Sequence, residues 1–249
     1  MNNHNRYVLS FISICFLASI IVLGLQFCSK FQEDTTIKEI QGLKPSVDNA
    51  EPPLMDFSKI QAANRDIIAW LVIPDTRIDY PIVQSTNNNY YLHHDAFKNS
   101  NRNGALFLDY RVRSDFSDFS NVIYGHHMES GMMFQNLIRF KEEAFFTNHT
   151  SAMLFTPNKT RQLEIFAVAV VSQNNELYQY AFASITEKET HLKTIKEKAI
   201  HYRDMNISAD DRIVIFSTCS YEFSNARTIV AARLRDFDTN PILKTVENE

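Results

Sequence analysis

Residues 212–234 read RIVIFSTCSYEFSNARTIVAARL. Two apolar runs, RIVIFSTC and ARTIVAARL, flank a short polar stretch, and both are rich in residues that favour strands. The segment therefore reads as strand, loop, strand. Cys219 closes the first run and Arg227 opens the second, which sets a thiol at the lip of a buried strand with a fixed cation across the loop. A thiol is a nucleophile only as thiolate, so it needs a cation, a helix N-terminus or a base nearby. A guanidinium is always charged and presents planar donors suited to a carbonyl or an oxyanion. Two plainer readings stand beside this one. Cys219 is equally readable as an inert buried thiol, and Arg227 as a surface cation paired with Glu222.

Outward from this segment, the chain from Leu71 onward is built of similar short runs: LVIP, DYPIVQ, ALFLDY, NVIYGH, AMLFTP and QLEIFAVAVV. Turn residues separate them, as at Pro74-Asp75, Asn103-Gly104 and Pro157-Asn158. Many strands without regularly alternating helices predict a mostly antiparallel barrel or sandwich. Two helices are expected. In MDFSKIQAANRDIIAWL, residues Phe57, Ile60, Ile67 and Ile68 share a helical face, with Asp56 or Ser58 as cap. In SITEKETHLKTIKEKAIHYRD, Leu192, Ile195, Ala199 and Tyr202 do the same on a charged surface helix that also carries His191 and His201.

The N-terminus has a different character. Residues 7–27, YVLSFISICFLASIIVLGLQF, carry no charge, between Arg6 and Lys30. About 20 apolar residues suffice to span a bilayer. The run exceeds a signal-peptide core of about 7–15 residues, and no A-x-A cleavage pattern follows. Phe27 before Cys28 does not fit a lipoprotein site. The expected organisation is a cytoplasmic tail over 1–6, a transmembrane signal anchor over 7–29, a polar stalk over 30–53 and a folded domain over 54–249. The expected orientation is single-pass in the cell membrane, N-terminus inside and domain outside.

Of three cysteines, Cys15 and Cys28 lie in or beside the anchor, so Cys219 has no disulfide partner in the exported domain. An unpaired thiol in an oxidising compartment points to a reactive role. The chain has 25 Lys+Arg against 29 Asp+Glu, a net charge of -4, which gives no electrostatic footprint for nucleic acid. Gly numbers only 5, and no phosphate-binding glycine motif occurs.

Eight histidines offer bases. His126 is singled out because it follows a strand-like run and Gly125, a residue that permits a sharp turn or a close backbone approach. A metal cluster of His93, His94, Asp95, His126 and His127 is disfavoured. Neighbours on a strand point to opposite faces, and no HExxH or Cys/His spacing occurs. No metal is expected.

Three stretches taken together resemble the sortase family, class B: TCSYEFSNAR, NVIYGHHM and AWLVIPDTRIDYPIVQSTNNNYYLHHDAF. The resemblance runs from about Ile60 to Leu234. It implies a closed eight-stranded β-barrel with an N-terminal helix and one long helix before the catalytic-cysteine strand. It implies Cys219 as nucleophile, His126 as acid/base partner and Arg227 as the carbonyl or oxyanion contact. Ser217, Thr218, Asn88 and Leu92 are implied as peptide contacts. The implied reaction is a transpeptidation without cofactor. Exported proteins bearing a C-terminal sorting motif are cleaved through a thioacyl-enzyme and passed to an amine of peptidoglycan or its precursor. The alternative is a membrane-anchored cysteine peptidase that releases its substrates by hydrolysis. His127 departs from the Asn or Thr common in the family, and Ser220 stands where an acid is sometimes found.

Overall fold

The computed structural model describes residues 54–237, together with 11–24 and positions 7, 39, 41, 42 and 44. The chain divides into two compact units, Met1–Gly42 and Leu43–Glu249. In the first unit, residues 11–24 are α-helical. Among the described residues no helix is long and apolar enough to cross a membrane. Residues 8–10 and 25–29 of the expected anchor, most of the stalk and residues 238–249 lie outside the described residues.

The second unit is a barrel. Its strands are β1 Ile67–Val72, β2 Asp79–Val83, β3 Leu106–Leu108, β4 Ser120–Tyr124, β5 Ser151–Phe155, β6 Thr160–Ser172, β7 Ala199–Tyr202, β8 Arg212–Cys219 and β9 Ala226–Asp236. They hydrogen-bond in the order β5-β1-β2-β3-β4-β8-β9-β6, and β6 pairs back to β5 to close eight strands into a ring. β7 adds a ninth strand to the flank of β6. Closure removes the unpaired edges that an open sheet would expose. β2–β3 and β4–β8 are parallel and the other pairs antiparallel. A parallel pair needs a long crossover. The β2–β3 crossover carries Asn88 and the 3-10 turn Tyr90–Leu92 over one end of the barrel.

β8 reads as a continuous apolar run because both of its faces are covered. Val214 and Phe216 face the barrel interior, where the Phe216 ring meets Phe134 edge-on at 5.7 Å. Ile213 and Ile215 face outward into a second core with Val122, Phe166, Leu177 and Ile229. Helix α3, Ile185–Lys198, closes that layer through Ile195 and Leu192.

Both expected helices are shorter than their apolar periodicity predicts. Helix α1 is Ser58–Ala63, and Ile67 and Ile68 belong to β1 instead. Asn64 ends the helix in extended backbone at φ -153°, and its buried amide donates to the Tyr91 hydroxyl at 2.9 Å and the Ala96 carbonyl at 2.8 Å. The N-cap is Phe57 and not Asp56 or Ser58, and Asp56 instead accepts the Ser58 N–H at 2.9 Å from one position before the cap. Helix α3 stops at Lys198, and Ala199–Tyr202 is β7. His201 therefore sits on a strand, with Nε2 against the Lys141 carbonyl at 2.8 Å. Helix α2, Glu143–Asn148, was not foreseen.

His191 on α3 is 4% exposed and its Nε2 has no hydrogen-bond partner. Burial pushes the imidazole down to about 4, with the Glu176 charge opposing only weakly. The folded protein thus holds His191 neutral where the unfolded chain would bind a proton. Stability from this group is complete above about pH 6.5 and falls as the pH drops toward 4. Urea unfolding at pH 7.5 and 4.5 should therefore differ less in His191→Leu than in the parent, by about 2 kcal/mol. An unchanged difference would show that the imidazole finds water in the fold.

Candidate active site

Pairing registers place the chemistry on one face. Cys219 of β8 lies opposite Arg227 of β9, and Ser217 opposite Ile229. On the other side, Tyr124 of β4 is in register with Ser217. Successive side chains alternate between faces, so Tyr124, Ser217 and Ile229 form one row. His126, just past β4, continues toward the next row with Cys219 and Arg227. Ile213 and Ile215 occupy the same outward face further down. The site is thus the uncovered end of the outer layer whose remainder lies under α3.

Gly125 makes the approach of His126 possible. Its N–H donates to the Ser217 carbonyl at 3.1 Å, prolonging the β4–β8 ladder. A Cβ there would meet Leu106 Cδ2 at 2.4 Å and the Phe134 ring at 2.7 Å. Of the two roles expected for this glycine, close approach is the one the fold uses. The His126 Nε2 then lies 2.9 Å from the Leu92 carbonyl. A carbonyl only accepts, so Nε2 carries the proton and Nδ1 is left as the free basic nitrogen. Leu92 thereby enters the site through its backbone, orienting a histidine that, among the described residues, no carboxylate holds.

Arg227 donates from Nη1 to its neighbour Ala226 O at 2.9 Å and from Nη2 to Gln173 Oε1 at 3.1 Å. The expected alternative partner, Glu222, is bound to Lys141 instead. Among the described residues no carboxylate forms an ion pair with Arg227, so its charge is available to a ligand.

Cys219, His126, Arg227, Ser217, Thr218, Asn88 and Leu92 all border one cavity of about 530 Å³. Phe107, Tyr124, Gln173, Asn174 and Tyr178 also line it. Ser217 is buried and shares a hydrogen bond of 2.8 Å with the Tyr178 hydroxyl. The Thr218 side chain alternates to the barrel interior beside Thr228, and its hydroxyl is buried without a partner. What Thr218 offers the cavity is backbone. Asn88 is held by Asp109 and Tyr110, with Nδ2 donating to Asp109 Oδ2 at 3.1 Å and Oδ1 accepting the Tyr110 N–H at 3.1 Å.

Behind the wall, Asp109 is fully buried. Burial alone would raise its carboxyl, but hydrogen bonds from Arg111 outweigh this and hold it below the usual carboxylate range. Burial first, and then the Asp109 charge, push the Tyr124 phenol up, so Tyr124 is a neutral donor to that carboxylate. His127 points away from His126. Its Nδ1 donates to the Cys219 carbonyl at 3.1 Å, its ring meets Tyr221 edge-on at 5.2 Å, and burial lowers its basicity. His94 stacks on Tyr90 at 4.1 Å. Among the described residues no group of three or more His, Cys, Asp or Glu side chains is placed to hold a metal ion.

Tyr124 was legible in principle, since it ends β4 two positions before His126. Tyr178 and Gln173 carry no local signal, because they reach the site from the loop between β6 and α3.

Residues 71–235 match the sortase domain model. The chain is 34% identical to sortase B of Listeria monocytogenes over 181 residues, covering 72% of this chain and 74% of that one. The crystal structure of sortase B from B. anthracis in complex with AAEK1 superposes with a TM-score of 0.75 at 30% identity, over 84% of this chain and 99% of that chain. A Staphylococcus aureus sortase B–substrate complex superposes with a TM-score of 0.69 at 25% identity, over 73% and 85% of the two chains. The chain belongs to the sortase family, class B, and is a cysteine transpeptidase of that type.

Proposed function

We propose that this enzyme is anchored in the cell membrane by residues 7–29, with the N-terminus cytoplasmic and the barrel outside. There it joins exported proteins to peptidoglycan or its precursor. The observation that carries the reading is the register Cys219–Arg227 beside His126 at the mouth of one cavity. The sortase B that superposes on this chain in complex with a substrate supports a peptide as occupant.

In this reading the Cys219 sulfur attacks a backbone carbonyl of the sorting motif. The C–N bond breaks, and His126 Nδ1, having taken the proton of the Cys219 thiol, delivers it to the leaving amine. Arg227 donates to the carbonyl oxygen as charge gathers on it. An incoming amine then attacks the thioester, His126 takes up its proton, and the thiol is regenerated. One amide is exchanged for another, so no cofactor is consumed. The two-step route replaces one difficult displacement by two easier ones. Ser217, Thr218, Asn88 and Leu92 border the peptide, Asn88 through an amide already fixed by Asp109.

Full-length protein in detergent, given sorting-motif peptides and a diamine or short glycine peptide, should form an amide product visible by mass spectrometry. Rising amine concentration should divert product from acid to amide. Cleavage to acid that amine does not redirect would establish the peptidase instead.

A further inference from the structure

We propose that the ion pair between buried Asp109 and solvent-facing Arg111 is a positioning element that holds three walls of the peptide cavity in register, setting peptide affinity without touching the peptide. The proposal rests on the reading that the cavity takes an extended peptide. Neither residue borders the cavity, yet each wall is tied to the pair.

The ties are specific. Asp109 Oδ2 accepts from Arg111 Nη2 at 2.7 Å, Asn88 Nδ2 at 3.1 Å and the Tyr124 hydroxyl at 3.1 Å. Its Oδ1 accepts from the Arg111 N–H at 3.0 Å and Nε at 2.9 Å. Asn88 belongs to the β2–β3 crossover and Tyr124 to β4, two separate walls. The third wall is the segment between β6 and α3. Arg111 reaches it by stacking its guanidinium 4.0 Å from the centre of the Tyr180 ring. Two residues earlier, Tyr178 binds Ser217 and borders the cavity.

The physics makes the pair more than added stability. A fully buried carboxylate keeps its charge only while its counterion and donors stay in place. With Arg111 removed, Asp109 must draw in water or turn toward solvent, and Asn88 and Tyr124 then lose their acceptor. Asn88 is the most sensitive, since a flipped amide would set its oxygen against the carboxylate. The Tyr180 stack is lost at the same time. A merely stabilising ion pair would instead weaken the whole barrel evenly.

The test is hydrogen–deuterium exchange on the full-length chain in detergent, with Arg111→Gln and Tyr180→Leu beside the parent. Arg111→Gln should speed exchange of residues 87–92 and 174–179 about tenfold, leaving β8 and β9 as in the parent. Its kcat/KM for a sorting-motif peptide should fall about tenfold, mainly through KM. Tyr180→Leu should speed only 174–179, and it decides the matter should Arg111→Gln fail to fold. Unchanged exchange in these segments, or acceleration spread evenly over β8 and β9, would overturn the proposal. A parent protein that turns over no peptide would count against the functional reading, while the exchange pattern would still decide this one.

Discussion

Cys219→Ala is expected to lower peptide turnover by at least about 10⁴-fold, since losing the nucleophile of a cooperating set removes nearly all of its effect. The unit Leu43–Glu249 contains no second cysteine that could take over. His126 and Arg227 would remain able to polarise a carbonyl, but the covalent step would be gone. Single-turnover mass spectrometry should show a thioacyl adduct on the parent protein and none on the variant. The thermal midpoint should move little, because the side chain lies half-buried at a strand end and only one sulfur is lost. More than about 1% residual turnover would mean that another nucleophile does the chemistry. The assigned role of Cys219 would then fall.

Arg227→Lys is expected to reduce kcat by about 10²–10³-fold, the usual loss when one preorganised oxyanion donor is removed. Lysine keeps the charge but not the planar fork. The present guanidinium is held by two acceptors, Ala226 O and Gln173 Oε1, and Arg227 borders the cavity. A lysine ammonium would satisfy one of those acceptors or the substrate, with no fixed geometry for both. KM should change far less than kcat, because the stabilised charge develops only on the way to the tetrahedral intermediate. Steady-state rates at saturating peptide decide it. A fall of less than about fivefold would reduce Arg227 to a wall of the groove.

Legibility varied along the chain for identifiable reasons. Seven of the eight barrel strands were readable as apolar runs because each buries at least one face, while β1 was caught only at Leu71–Val72. β7 was missed because Ala199 and Tyr202 continue the 3.6-residue spacing of α3, so the helical pattern outruns the helix. Pairing with β6 then claims those residues for the sheet. The end of α1 was missed for the mirror reason, since Ile67 and Ile68 fit a helical stripe. The Asn64 side chain is consumed by Tyr91 and Ala96, far away in sequence, and the backbone extends there. Glu222 looked like a partner for Arg227 on proximity in sequence, yet Lys141 lies closer in space.

The sequence by itself determined the pair at the centre of the site. Two strands joined by a short loop must run antiparallel, and a period of two then sets Cys219 and Arg227 on one face at one level. Local geometry sufficed because the loop is short. Only the tertiary structure decided how His126 is oriented and how the walls are held. The carbonyl that fixes its ring comes from Leu92, 34 residues away, and the Asp109 carboxylate meets Asn88 from 21 residues away. Hydrogen bonds are short and directional, so their partners depend on where barrel closure carries each loop. No periodicity in the chain records that.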